Sequence, residues 1–340
     1  MSVKVGINGF GRIGKNFARA VFSRTDDAVE IVAVNDLTEP DILAHLFKYD
    51  SVLGVFKGQI EVTDEGFIID GKSIKVFSEK DPAALPWKKH DVDVVVESTG
   101  LFTDREGASK HLEGGARKVI ISAPATDPDI TIVMGVNDEK YDDAEHHIIS
   151  NASCTTNSVV PMAKVLMDNF GIESGFMTTI HAYTTEQQLQ DQVATTRKGK
   201  PDLRRMRSAA LNIVPASTGA AKAASLVIPE LKGKLDGMAM RVPVPDGSVT
   251  DLVCVLGRSA TVDEVNQAFK DAAGSERLKG IITYTEDPIV SSDIVGNPAS
   301  CIIDGLSTMS NGQQVKVIGW YDNEWGYSNR LVDLISLIGK

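Results

Sequence analysis

Cys154 stands in the polar run Ser153-Cys154-Thr155-Thr156-Asn157, and a single histidine, His181, follows at the end of the next apolar segment. Near its start the chain carries Gly9-Phe10-Gly11-Arg12-Ile13-Gly14, a turn suited to a dinucleotide. A nucleophilic sulfur and a redox dinucleotide in one chain point to oxidation of an aldehyde through a thioester. A thiol adds to an aldehyde carbonyl, the hemithioacetal gives up a hydride, and the acyl group stays on sulfur.

The glycine turn has the right surroundings. Val3–Ile7 reads as a buried strand, Lys15–Ser23 as a helix with Phe17, Ala18, Val21 and Phe22 on one face, and Glu30–Val34 as a second strand. Asp36 closes that strand. Gly9, Gly11 and Gly14 allow close backbone approach to a pyrophosphate at a helix N-terminus, and Asp36 is placed for the adenosine ribose diol. A carboxylate there repels a 2′-phosphate, so NAD is expected over NADP.

Cys154 precedes a helix expected over Thr156–Phe170. A helix N-terminus lowers a thiol pKa and offers N–H groups to an oxyanion. Cys254 and Cys301 lie in apolar runs and read as small buried hydrophobes. His181 ends a strand expected over 172–180 and opens a polar stretch. From position alone it reads either as the thiol's general base or as a structural histidine. The remaining histidines read as structural.

Basic residues gather at Lys198, Lys200, Arg204, Arg205 and Arg207. Guanidinium groups fork onto phosphate oxygens, so the cluster reads as an anion site or as a solvated face. Ser217-Thr218-Gly219 before an expected helix (Ser217–Val227) offers donors to a further anion, and Arg241 inside an apolar strand requires a counter-charge.

The 340 residues suit about two domains. A net charge of −11 argues against nucleic acid or an anionic membrane as main partner. Cysteine spacing fits neither a disulfide framework nor a zinc site, so no metal is expected. There is no signal-like N-terminal segment and no apolar run of the roughly 18 residues that a span needs, so a cytoplasmic protein is expected.

Apolar runs at Val92–Glu97 and Lys118–Ile121, with weaker ones at Ile130–Met134 and His147–Ser150, extend a parallel sheet. Residues 39–90 read as an insertion decorating it, and residues 184–207 as a long ordered loop. Beyond about residue 150, Gly237–Val244, Ser248–Leu256 and Gln313–Trp320 read as antiparallel strands, with helices at Thr261–Ala273 and Arg330–Ile338. The expected class is α/β: a Rossmann-type parallel-sheet domain plus an α+β catalytic domain with a mostly antiparallel sheet.

Taken together, the chain resembles phosphorylating glyceraldehyde-3-phosphate dehydrogenases along essentially its whole length. The resemblance rests on Gly6–Gly14, Val34-Asn35-Asp36, His45–Ser51, Glu97–Phe102, Ser153–Asn157, His181–Thr184, Asp202–Arg205, Ser217–Ala223, Arg241-Val242-Pro243 and Trp320–Tyr327. It implies that Cys154 is the nucleophile and His181 its base. Arg12, Ile13, Asp36, Thr99, Gly100 and Ser122 would border NAD, and Asn323 would bind the nicotinamide carboxamide. Lys80, where the family commonly has arginine, is carried over as a cofactor contact. Thr184 and Arg241 would hold the phosphate of glyceraldehyde 3-phosphate. Ser153, Thr155, Arg205, Thr218 and Gly219 would hold inorganic phosphate. The resemblance further implies an NAD-binding domain of residues 1–153 and 319–340, a catalytic domain of 154–318, and a homotetramer. Erythrose-4-phosphate dehydrogenase, or a non-catalytic dinucleotide-binding protein, are the alternatives.

Overall fold

Continuous apolar runs become strands covered on both faces. In the computed structural model, which describes residues 2–195 and 199–339, β1 (Val3–Asn8) leads through the glycine turn into α1 (Arg12–Ser23) and β2 (Val29–Asn35). There follow α2 (Pro40–Lys48), β3 (Tyr49–Asp50), β4 (Gly54–Val55), β5 (Ile60–Thr63), β6 (Gly66–Ile69), β7 (Lys72–Phe77), β8 (Val94–Glu97), α3 (Arg105–Glu113), β9 (Lys118–Ile121), β10 (Ile130–Thr131) and β11 (Ile148–Ser150). The sheet order is β10-β11-β9-β8-β1-β2-β7-β6-β5. From β10 across to β7 all neighbours are parallel. Val95, Val96, Val119, Ile120 and Ile121 are completely buried, as a sheet with both faces covered requires. Strand order reverses at β1, which sits between β2 and β8; the crevice beyond their carboxyl ends is where such sheets bind ligands.

Residues 39–90 do more than decorate this sheet. β7 pairs in parallel with β2, and β6 and β5 continue the sheet antiparallel beyond it. The β6–β7 connection is Asp70-Gly71, both at positive φ (48° and 80°), the conformation that matches a tight hairpin to strand twist.

The second part begins with α4 (Cys154–Phe170), β12 (Ile172–Ala182) and β13 (Val214–Ser217). It continues with α5 (Ala220–Val227), β14 (Leu235–Val242), β15 (Ser248–Leu256), α6 (Val262–Gly274), β16 (Ile282–Thr285), β17 (Cys301–Asn311), β18 (Gln314–Tyr321) and α7 (Trp325–Ile338). Its sheet order is β13-β14-β12-β15-β18-β17-β16. Most pairs are antiparallel, but β12–β14 and β16–β17 are parallel. The sequence reading lacked β13, β16 and β17, and it placed Ser217 in a helix. Ser217 instead ends β13, because residues 214–217 pair with β14. Burial alternates along β12 and β15, with Met177, Thr179, His181, Thr250, Leu252 and Cys254 on the covered face.

The chain divides into two compact units, Met1–Ser153 with Tyr327–Lys340, and Cys154–Gly326. The return expected at residue 319 falls at Tyr327, because β18 is hydrogen-bonded between β15 and β17 of the second sheet. Within the first unit α7 is tied by Tyr327 Oη to the Ala152 carbonyl (3.1 Å) and by Asp333 to Arg24 (2.6 Å). The described residues of 184–207 form no helix or named strand, yet Gln192 N–Met206 O and Asp202 N–Ala194 O bonds, both 3.1 Å, join parts of the stretch. Lys198, counted in the basic cluster, lies outside the described residues.

Candidate active site

Cys154 is the first residue of α4, and its Sγ lies 3.4 Å from His181 Nε2. His181 reaches it from the end of β12 and is 3% exposed. In the parallel β12–β14 pair His181 stands opposite Arg241, so register brings the guanidinium to the imidazole. Arg241 Nη1 is 2.8 Å from His181 Nδ1 and donates to the Ala182 carbonyl at 3.0 Å. That carbonyl also lies 2.7 Å from Nδ1. Nδ1 either accepts from Arg241 Nη1 or donates to that carbonyl, not both; in the tautomer that donates, the Nε2 lone pair faces the thiol.

The electrostatics oppose one another. Burial pushes the Cys154 thiol up, while the Arg241 charge and the Thr155 hydroxyl and amide pull it down; Asp246 adds to the rise. Burial, and then Arg241, hold His181 down at about 3, so the imidazole is neutral. The thiol-lowering influence expected of the helix start is present in the Thr155 amide, but burial outweighs it.

Below the pair, Tyr321 Oη is 2.9 Å from Thr155 Oγ1 and 2.7 Å from Thr179 Oγ1. Its ring meets His181 edge-on with centroids 6.0 Å apart. Ser248 accepts from Ala182 N at 3.0 Å and donates to Asn323 Oδ1 at 2.6 Å. Asn323 is thereby held by its oxygen, and its amide nitrogen remains the donor.

The anion-binding candidates converge through one carboxylate. Arg241 Nη2 donates to Glu186 Oε1 at 3.0 Å, and Arg205 Nε lies 3.2 Å from the same oxygen. Arg205 also pairs with Asp202 (2.8 Å) and reaches the Ser217 carbonyl (3.4 Å), next to Thr218 and Gly219. Gly219 caps α5 with no side-chain partner, and Thr218 Oγ1 accepts from Ala220 N at 3.2 Å. Thr184 Oγ1 and Arg241 Nε are buried without a hydrogen-bond partner. Buried donors left over around two arginines are what an anion site requires. The other cluster members point elsewhere: Arg207 pairs with Asp191 at 2.7 Å, and Arg204 is exposed. Ser153 immediately precedes α4.

In the first unit, Gly9 has φ +92°, and a Cβ on it would lie 2.7 Å from Thr99 N. A Cβ on Gly14 would lie 2.2 Å from the Gly9 carbonyl, whereas one on Gly11 would meet nothing within 4 Å. Gly11 caps α1 without a side-chain hydrogen bond, so the helix start is free for a pyrophosphate. Asp36 accepts from Phe10 N (2.8 Å) and Thr38 N (3.0 Å) on different oxygens, each keeping a lone pair for a ribose hydroxyl. These residues fit NAD. Arg12 is paired with Asp50, and Ile13 follows in the first turn of α1. Gly100 has φ +74°, and Ser122 Oγ donates to the Glu97 carbonyl at 3.0 Å. Lys80 is exposed after β7.

Sequence reasoning missed the groups that hold these residues. Glu97, buried, accepts from Thr99 N at 2.8 Å and from the Thr99 hydroxyl. Trp87 Nε1 can only donate, so His111 Nδ1 accepts it (3.1 Å) and His111 Nε2–H donates to Glu97 (3.0 Å). Glu186, Ser248 and Tyr321 were likewise missed. Their roles were not assigned, because their partners are remote in sequence.

Residues 3–105 match the domain described as "Glyceraldehyde 3-phosphate dehydrogenase, NAD binding domain", and residues 153–323 match "Glyceraldehyde 3-phosphate dehydrogenase, C-terminal domain". The chain is 61% identical to "Glyceraldehyde-3-phosphate dehydrogenase" of Streptomyces coelicolor, over 100% of this chain and 99% of the relative. It is 58% identical to "Glyceraldehyde-3-phosphate dehydrogenase 1" of Bacillus subtilis with the same coverage. To "Glyceraldehyde-3-phosphate dehydrogenase" of Mycobacterium tuberculosis it is 59% identical, again over 100% and 99%. With both domains matched and this identity sustained along the whole chain, the protein belongs to the glyceraldehyde-3-phosphate dehydrogenase family.

Proposed function

We propose that this chain is an NAD-dependent, phosphorylating glyceraldehyde-3-phosphate dehydrogenase that converts glyceraldehyde 3-phosphate and inorganic phosphate to 1,3-bisphosphoglycerate. The observation that carries the reading is the Cys154 Sγ–His181 Nε2 contact of 3.4 Å beside two arginines that share a carboxylate. Relatives at this identity do not favour the erythrose-4-phosphate or non-catalytic alternatives.

His181 Nε2 takes the Cys154 proton as sulfur adds to the aldehyde carbon. The start of α4 offers N–H groups to the oxyanion. NAD, when bound, supplies the hydride acceptor. Gly9, Gly11, Arg12, Ile13, Gly14, Asp36, Thr99, Gly100, Ser122 and Asn323 are assigned to hold it; Lys80 is retained as an outer contact. Loss of hydride and the hydroxyl proton leaves a thioester on Cys154. Phosphate oxygen then attacks the acyl carbon, and the Cys154 thiolate leaves. Thr184 and Arg241 are assigned to the substrate phosphate; Ser153, Thr155, Arg205, Thr218 and Gly219 to the attacking one. Burial is the larger influence that keeps His181 neutral, and a phosphate dianion on Arg241 offsets the second one, the Arg241 charge, which makes the imidazole a better proton acceptor.

The first unit is assigned to the cofactor and Cys154–Gly326 to catalysis. We further propose a cytoplasmic homotetramer. Support for assembly comes from the outer face of the second sheet, where Phe176 (72%), Met309 (61%) and Leu306 (60%) stand exposed. No helix among the described residues is long and apolar enough to cross a membrane.

The deciding experiment is NAD reduction with glyceraldehyde 3-phosphate, with and without inorganic phosphate. Sustained turnover that requires phosphate is expected, and Cys154→Ser should lose it while binding NAD as before. Turnover indifferent to phosphate, or an active Cys154→Ser protein, would refute the reading.

A further inference from the structure

Glu186 holds a carboxylate where two cations meet. Its Oε1 is 3.0 Å from Arg241 Nη2 and 3.2 Å from Arg205 Nε. The arginine side chains are 12% and 14% exposed, while that of Glu186 is 42% exposed. Two cations so far withdrawn from water need counter-charge. Arg205 has a second acid in Asp202, whereas Arg241 pairs with Glu186.

We propose that Glu186 is a built-in anion that holds the two phosphate-binding arginines together and is displaced by phosphate, so that it sets the affinity of the site for phosphate. The proposal rests on the two-anion reading above. A carboxylate is an incomplete occupant here: Thr184 Oγ1 and Arg241 Nε remain buried without partners. A phosphate brings more acceptor oxygens and a second charge, and it satisfies donors that two carboxylate oxygens leave over. Displacement is inexpensive on the other side, because Glu186 lies in an exposed turn two residues after Thr184 and returns to water when it leaves. The same carboxylate competes with the phosphates of the product, so Glu186 favours release as well as restraining binding.

The test is calorimetric binding of inorganic phosphate to the protein without aldehyde, comparing wild type, Glu186→Gln and Glu186→Asp. Glu186→Gln should bind phosphate about tenfold more tightly, since a like charge is removed from the site. Its thermal midpoint should fall without phosphate and recover with it. Glu186→Asp, too short to serve both arginines, should show a smaller gain, and it keeps the test available if the amide variant misfolds. In steady state Glu186→Gln should lower KM for phosphate and kcat together. Phosphate binding by either folded variant that equals or falls below wild type would overturn the proposal. If wild type itself shows no saturable phosphate binding, the anion-site reading fails, and this inference fails with it.

Discussion

Among single residues, Arg241 acts on both members of the candidate pair, pulling the Cys154 thiol down and opposing a charge on His181. Asp246 works against it. This aspartate is 2% exposed, its Oδ1 accepts from Gly247 N at 2.8 Å, and in its protonated form it hydrogen-bonds the Asp322 carboxylate. Burial, Asp322 and Glu324 raise its pKa to about 8. An unfolded aspartate ionises near 4. Between those values the folded chain holds a proton that the unfolded chain has released, so this residue makes stability fall as pH rises. Asp246→Asn should therefore melt several degrees above wild type at pH 8 and show no such advantage at pH 4. A difference independent of pH, followed by calorimetry at both values, would rule out Asp246 as the source.

At the level of elements, the turn between β1 and α1 separates two uses of glycine. Gly14 is required by the fold, since a methyl there would meet the Gly9 carbonyl at 2.2 Å. Gly14→Ala should cost roughly 1–3 kcal/mol, the range for overpacking. Gly11 is not required by the chain: φ is −75°, and an added Cβ meets nothing within 4 Å. Gly11→Ala should leave the melting temperature within about a degree and still weaken NAD binding about tenfold, because the methyl occupies the space a pyrophosphate needs. Melting curves and NAD titration on both variants check this pair. Unaltered NAD affinity in Gly11→Ala would remove the pyrophosphate from that position.

For the whole molecule, the second sheet presents a face that the chain does not cover. Phe176, Val253, Lys316 and Met309 lie opposite one another across β12, β15, β18 and β17, on the side away from Met177 and Leu252. Leu189, Val193, Leu203, Leu211 and Ile213 are exposed in the segment after β12. The homotetramer proposed above would need such a patch for closed symmetric assembly. Phe176→Glu should shift the protein to smaller species in light scattering at micromolar concentration, with Cys154 still reactive. An unchanged mass would remove this face as the support for the proposed assembly.

Local chemistry was readable before any coordinates. The glycine turn with Asp36, the polar run around Cys154 and the parallel-type strands read at Val92–Glu97, observed at Val94–Glu97, and at Lys118–Ile121 follow from side-chain periodicity and turn residues, which are short-range properties. Cys154 and His181 were each visible as candidates, but their contact was not. It depends on α4 and β12 packing in one register, and on β14 entering beside β12 to bring Arg241 opposite His181. The same long-range pairing made β7, β6 and β5 part of the first sheet and moved Ser217 from a helix to a strand. The carboxylates Glu97, Glu186 and Asp246 were illegible for one reason. An acid reveals its role by what surrounds it, and burial and partners are set only when remote segments come together.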